Sequence, residues 1–159
     1  MLVGILSDTH DNLPMIRRAL AYFEGAGADC LIHAGDFVAP FALKEIVGFE
    51  GPVYAVFGNN DGEHAGLKKM LTDLAKGPRR VELCGKAIVI AHDESKLKPA
   101  DLAGADVLVV GHTHKAEIRA GKLLVINPGE ASGWLTGEST VATLDTESLE
   151  ARLVNLGKS

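Results

Sequence analysis

The chain has 159 residues, 47% hydrophobic and 23% charged, which is the balance of an ordinary globular domain long enough to bury a core. Its net charge of −5 excludes a global electrostatic pull toward nucleic acid, so stable nucleic-acid binding is not expected. The opening run MLVGILSD carries no export-signal pattern and no apolar stretch is long enough to span a bilayer, so a cytoplasmic protein without a membrane partner is expected.

The elements are read in chain order. Leu2 to Leu6 is a buried strand closed by Ser7-Asp8. Leu13 to Gly25 places Met15, Ile16, Ala19, Leu20 and Phe23 at helical spacing, with Pro14 in the first turn and Asp11 or Asn12 as cap. Cys30 to His33 is a second strand, Pro40 to Val47 a helix, Pro52 to Val56 a third strand and Leu67 to Leu74 a short helix. This alternation predicts right-handed crossovers and a mainly parallel sheet. The second half changes to hairpins. Val81–Leu83 and Ala87–Ala91 flank Cys84-Gly85-Lys86, and Ala116–Ala120 and Leu123–Ile126 flank Gly121-Lys122. Val107–Val110 is a further buried strand, and Thr140–Asp145 with Ala151–Leu156 forms a closing pair. No linker or repeat divides residues 1–159, so one domain of two packed sheets with helices outside is predicted. Cys30 and Cys84 are expected to be buried thiols rather than a disulfide.

The chemistry gathers where apolar runs stop. Leu6 is followed by Ser7-Asp8-Thr9-His10, Ile32 by His33-Ala34-Gly35-Asp36, and Val56 by Phe57-Gly58-Asn59-Asn60-Asp61. Ile90 is followed by Ala91-His92-Asp93, and Val110 by Gly111-His112-Thr113-His114. The carboxyl ends of parallel strands share one rim, where ligands bind. In extended chain, residues two apart face one side, so Asp8 with His10 and His112 with His114 are predicted as two-pronged ligand pairs. Glycine before Asp36, Asn59 and His112 allows sharp turns. Carboxylates, imidazoles and one amide form a mixed N/O set that suits Mn, Fe, Zn, Co or Ni better than Ca or Mg. Seven candidates exceed one tetrahedral ion, whereas two divalent cations sharing a carboxylate account for them and leave a pocket that attracts phosphate.

Taken together, DxH, GD, GNxD, a lone later His and GHxH resemble the calcineurin-like metallophosphoesterases, and among them the small YfcE-type phosphodiesterases. The matching runs are GILSDTHDNLP, HAGDF, FGNNDGE, VVGHTHKAE and INPGEASGWLTG, spread over essentially the whole chain. The resemblance implies an α/β fold, a four-layer αββα sandwich of two mixed sheets flanked by helices. It implies that Asp8, His10 and His114 hold a first metal, that Asn59, His92 and His112 hold a second, and that Asp36 bridges them. Mn is the expected ion, with Ni, Zn, Fe or Co as alternatives. The implied activity is hydrolysis of a small phosphate ester, a diester first, by a hydroxide shared between two ions about 3.5–4 Å apart. Homodimers or homotetramers are known among such relatives and are expected here.

The chain departs from the broader family pattern at two places. Asn60 stands where larger relatives carry a His that assists the leaving group, and Glu94 stands where small relatives place a second His after the lone ligand. His64 is the candidate substitute, giving Asp36, Asn59 and His64 as the catalytic set. Loss of the usual acid predicts a preference for good leaving groups. Read singly, Asp36 would be a helix cap, Asn59 a turn residue and His92 a polar strand end; the combination argues for metals. His33 is expected to be structural, Asp61 to bond backbone amides or orient a ligand His, Asn127-Pro128-Gly129 to form a turn, and Trp134 and Leu135 to be core or subunit contact. Two other functions compete: a non-catalytic scaffold on the same fold, and a broad phosphomonoesterase. Retention of ligand-capable residues at all seven positions favours the enzyme, because buried carboxylates and imidazoles cost stability without their ions.

Overall fold

The computed structural model describes residues 1–158. Strand β1 (Leu2–Leu6) leads into helix α1 (Leu13–Ala26), β2 (Cys30–His33), α2 (Pro40–Ile46), β3 (Val53–Phe57), α3 (His64–Met70) and β4 (Ala75–Lys76). Then come β5 (Arg79–Leu83), β6 (Lys86–Ile90), two 3-10 turns at Glu94–Lys96 and Pro99–Leu102, β7 (Val107–Val109), β8 (Glu117–Arg119), β9 (Leu124–Asn127), β10 (Ser139–Asp145) and β11 (Ala151–Gly157). They form a six-stranded sheet in the order β11-β10-β1-β2-β3-β4 and a five-stranded sheet in the order β5-β6-β7-β9-β8. Both are mixed: β1 runs parallel to β2 and antiparallel to β10, and β7 runs parallel to both β6 and β9 while β8 is antiparallel to β9.

The apolar periodicity explains the layers. One face of the first sheet, with Leu6, Leu31, Ala55 and Phe57, packs on Ile16, Leu20, Phe23, Leu43, Ile46 and Leu67 of the helices. Its other face, with Val3, Ile5, Ile32 and Val56, meets Ile88, Ile90, Val107, Val109 and Ile126 of the second sheet. Alternate residues Val89, Leu108, Val110 and Val125 point away from that seam and lie under Leu97, which follows the first 3-10 turn, and Leu102 of the second. The structure is thus the expected four-layer αββα sandwich of two mixed sheets, with 3-10 turns forming the fourth layer.

Local chemistry sets the boundaries. The Asn12 side chain accepts from Met15 N and caps α1, and Gly27 ends it in the left-handed region (φ 74°). Helix α3 begins three residues earlier than the Leu67–Leu74 expectation and stops at Met70. Leu71 is extended (φ −129°, ψ 92°), so the chain turns back and adds β4 beside β3, and Leu74 reaches the core from a turn. Cys30 is buried as expected, but Cys84 is exposed. With Gly85 it forms the two-residue turn between β5 and β6, both at positive φ (49° and 74°), and the strand twist demands that tight turn at the surface. Among the described residues no helix is long and apolar enough to cross a membrane.

Candidate metal centre

The loops after β1, β2, β3, β6, β7 and β9 leave the carboxyl ends of parallel strands and knit together. Asp8 N donates to Gly35 O (3.0 Å), His10 N to Asp36 O (3.1 Å), Gly111 N to His92 O (3.0 Å) and Ser132 N to Asp8 O (3.1 Å). Within this weave Asp8, His10 and His114 bring one ligand atom each to within 4.8 Å of one another, and so do Asp8, Asp36 and His92.

The convergence does not arise from extended chain. Asp8, His10, Asp36, His112 and His114 all have positive φ, at 54°, 40°, 63°, 68° and 59°. For non-glycine residues such backbone costs about 1–3 kcal/mol each and collects at functional sites. Left-handed turns, not extended chain, bring His10 and His114 onto Asp8, a correction to the two-residue alternation expected from the sequence, while His112 goes to His92 instead of joining His114. Two of the preceding glycines are needed for space rather than for turning. A Cβ on Gly58 would lie 2.1 Å from Asp36 Oδ1, and one on Gly111 would lie 2.0 Å from Ser7 Oγ and 2.7 Å from Asp8 Oδ2.

Asp8 is fully buried; His112 N donates to its Oδ2 (3.1 Å), while its Oδ1 has no hydrogen-bond partner. Burial pushes its carboxyl above the usual range. Oδ1 faces His10 Nε2 at 3.8 Å and His114 Nε2 at 3.3 Å, and the two rings stack at 5.3 Å. His10 Nε2 is likewise buried and unpartnered. Asp36, 1% exposed, accepts Asn60 N at Oδ1 and Asn60 Nδ2 at Oδ2, each at 2.8 Å. Its Oδ2 lies 3.7 Å from His10 Nε2 and 3.4 Å from His92 Nε2, between the two halves of the cluster. Burial opposes the charge on Asp36, but the bonds from His92 and Asn60 outweigh it and hold the carboxyl well below the usual range.

His92 supplies the sharpest test of fit. Its Nδ1 lies 2.8 Å from Ala34 O and its Nε2 lies 2.9 Å from Asn59 Oδ1. With Nδ1–H donated to Ala34 O, the Nε2 lone pair is directed at Asn59 and Asp36, where it is free to hold a proton or a cation. Burial lowers its proton affinity, yet Asp36 and Asp8 raise it on balance. The unpartnered Asp8 Oδ1 and His10 Nε2 are free in the same way, and the mixed N/O donors fit divalent transition ions.

Asp8, His10, Asp36, Asn59, His92 and His114 therefore meet. His112 stands at the margin: its ring lies edge-on to His92 at 5.1 Å, and its Nε2 is nearest Asp93 Oδ2 at 3.8 Å. Ser95 holds the Asp93 carboxyl down, to about 2. His64 is outside the ligand cluster. It is exposed, stacks on Phe57 at 4.1 Å and lines a cavity of about 270 Å³ together with Asn59, His92, Lys76 and Lys96.

Several supporting residues now have visible tasks. Asp61 accepts from Asp36 N (3.1 Å), Val38 N (2.8 Å) and Gly58 N (2.7 Å), the amide-bonding role read for it. His33 is fully buried, bonded to Thr9 Oγ1 (3.1 Å) and Gly35 N (3.1 Å), and burial pushes its proton affinity well down. Asn127 is more than a turn residue, since its Nδ2 donates to Gly111 O (3.1 Å) and Thr113 Oγ1 (2.9 Å) and braces the GHTH loop. Trp134 is not core: it is 60% exposed, its Nε1 donates to His10 O (3.1 Å), and with Leu135 it walls a second cavity of about 320 Å³ opening on His10, His114 and Glu130. Glu130 lies within the run INPGEASGWLTG, but the sequence assigns it no role. It is 0% exposed. Burial works against its charge, but Leu135 N, Thr136 N and the Ser132 and Thr136 hydroxyls hold its carboxyl down, to about 2. Its signal was a lone carboxylate inside INPGEAS, a stretch otherwise apolar, small or turn-forming.

Residues 1–149 match the calcineurin-like phosphoesterase superfamily domain. The chain is 41% identical to phosphodiesterase MJ0936 of Methanocaldococcus jannaschii over 98% of this chain and 99% of that one. It is 34% identical to a probable metallophosphoesterase of Methanothermobacter thermautotrophicus, over 99% and 94%. A solved structure described as a novel archaeal phosphodiesterase superposes with a TM-score of 0.88 at 38% identity, covering 98% and 99%. YfcE, a phosphoesterase from E. coli, superposes at 0.70 with 23% identity over 99% and 100%, a likeness of fold.

Proposed function

Because the chain belongs to the calcineurin-like phosphoesterase superfamily, and is a phosphoesterase, we propose that residues 1–159 form one domain acting as a two-metal phosphodiesterase on small phosphate esters. The phosphodiester preference rests on the relatives named phosphodiesterases. The dinuclear reading rests on His92, whose two nitrogens both face oxygen acceptors, together with the unpartnered Asp8 Oδ1 and His10 Nε2.

In this proposal Asp8, His10 and His114 would hold one divalent cation, Asn59, His92 and His112 would hold the other, and Asp36 would serve both. Manganese is the first choice of ion, with Ni, Zn, Fe and Co as alternatives. Bound divalent cations supply Lewis acidity toward phosphoryl oxygens and lower the pKa of coordinated water. The chain's own residues do the rest. Asn60 keeps the Asp36 carboxylate in one orientation through two hydrogen bonds. Ala34 O accepts the hydrogen bond donated by His92 Nδ1–H, which aims Nε2 at Asn59 and Asp36. Asp61 locks the loops after β2 and β3 together, so Asp36 and Asn59 cannot drift apart. Asn60 spends its side chain on Asp36 and has no proton to give, so His64 on the cavity wall is assigned as donor to the leaving oxygen.

The test is a chelated sample reconstituted with Mn²⁺ and assayed on bis(p-nitrophenyl) phosphate and p-nitrophenyl phosphate. The diester is expected to be the better substrate, and Asp36→Ala and His112→Ala to abolish turnover. Activity that survives chelation overturns the metal dependence. Faster monoester turnover favours the phosphomonoesterase, and a metal-loaded protein inert toward both favours a scaffold.

A further inference from the structure

Glu130 is the buried charge that the ligand assignment leaves unexplained. Its carboxylate is 0% exposed and its Oε1 lies 3.3 Å from His114 Nδ1, while Nε2 of the same ring lies 3.3 Å from Asp8 Oδ1. Nδ1 is buried and has no hydrogen bond, so this carboxylate at ion-pair distance is its available acceptor. Glu130 cannot swing away. Ser132 Oγ donates to Oε1 (2.9 Å), Leu135 N donates to both oxygens (2.9 and 3.1 Å), and Thr136 N (2.9 Å) and Thr136 Oγ1 (3.0 Å) donate to Oε2.

We propose that Glu130 is a positioning residue: it accepts the hydrogen bond donated by His114 Nδ1–H, keeps the proton on that nitrogen and so leaves the Nε2 lone pair free for the metal beside Asp8. An imidazole bonded through one nitrogen to a carboxylate has a fixed tautomer and a more basic second nitrogen, and loss of such a partner typically costs about 10–100-fold in metal affinity. The plain alternative makes Glu130 only the cap of the Gly133–Gly137 loop, whose amides it holds. A loop cap accounts for Leu135 and Thr136 but gives no reason for a full negative charge, buried without a cation, to face a metal-ligand imidazole. The same anchoring has a second effect: the Trp134–Leu135 wall and His114 are held by one carboxylate, so the apolar side of the cavity and the first metal position are tied together.

The inference rests on the metal reading above, and two measurements separate them. In Zn²⁺-loaded protein, ¹⁵N imidazole spectra are expected to show His114 with a protonated Nδ1 and a metal-bound Nε2; Zn²⁺ bound through Nδ1 overturns the proposal while sparing the metal reading. Failure of Zn²⁺ to bind overturns both. In the second, Mn²⁺ affinity is measured for wild type, Glu130→Gln, His114→Ala and the double variant, with thermal stability of each metal-free protein alongside. Glu130→Gln is expected to weaken Mn²⁺ about 10–100-fold in the presence of His114 and to add nothing in its absence, while the melts show that each metal-free variant is folded. An equal loss of affinity in both backgrounds, or none in either, makes Glu130 a loop cap only. The spectra need no variant, so the proposal stays open to refutation even if Glu130→Gln does not fold.

Discussion

Asn60 grips Asp36 with both of its donors, its backbone N–H on Oδ1 and its side-chain Nδ2 on Oδ2, each at 2.8 Å. The position that carries a leaving-group histidine in larger relatives is used here to fix the carboxylate between the two halves of the cluster. Asn60→Ala keeps the backbone bond and loses the side-chain one, which as a bond to a charged acceptor is worth about 1.5–3 kcal/mol. Mn²⁺ affinity is expected to fall roughly 10–100-fold as Asp36 loses its fixed orientation, and the metal-free protein to lose stability up to the worth of that bond. Calorimetric titration of the variant checks this, and an unchanged affinity would mean that Asp36 needs no such hold.

In the proposed mechanism His64 is the proton donor, placed on a cavity wall beside Asn59 and His92. His64→Ala is expected to lower kcat by about 10²–10⁴-fold on diesters with poor leaving groups and to change turnover of p-nitrophenyl esters far less. A series of aryl and alkyl leaving groups measures it. Equal losses across the series would reduce His64 to a packing partner of Phe57.

Asp61 has no contact with a candidate ligand side chain, yet it holds three amides of the ligand-bearing loops. Asp61→Ala leaves those amides without their acceptor, a cost of about 2–4 kcal/mol. In a chain of this size that lowers Tm by roughly 4–16 °C. Asp61→Asn keeps an acceptor and is expected to lose less. Thermal melts of the metal-free variants decide the point.

His33 gives the metal-free protein a pH-dependent term of known sign. Its folded proton affinity lies well below the ordinary value of 6.5, so it stays neutral in the fold and takes up a proton on unfolding below that pH. The unfolded state then binds more protons, so this contribution is complete above pH 6.5 and is lost as pH falls, by at most about 1.4 kcal/mol per unit. His92 has a raised proton affinity and acts in the opposite sense, its contribution fading as pH rises. Denaturant curves between pH 7.5 and 5 for wild type and His33→Asn isolate the His33 term as a difference in slope, and parallel slopes would contradict it.

How much of this was legible in the sequence depends on what made each feature. Apolar periodicity gave nearly every strand and helix α1, because burial on one face leaves a repeating trace. It misplaced α3, where Leu67, Leu71 and Leu74 keep helical spacing although only the first is buried within the helix, and it missed the two-residue β4. The candidate ligands were legible because each ends an apolar run. The manner of their meeting was not: five residues in left-handed backbone reverse the alternation that extended chain predicts, and no residue type in Asp-Thr-His or His-Thr-His announces positive φ. The core alternative for Trp134 fails because its indole N–H is tied to His10 O at the rim of a cavity, which leaves the ring exposed. Glu130 left only a faint trace, one carboxylate among small residues, since its donors come from a loop whose path local sequence does not specify.

The central claim is that separate strand-end loops bring carboxylate, amide and imidazole groups together around a pair of cations. Its most direct test is calorimetric titration of the chelated wild-type chain with Mn²⁺. Saturation at two ions per chain is the expected result; saturation at one ion, or no binding, would contradict it.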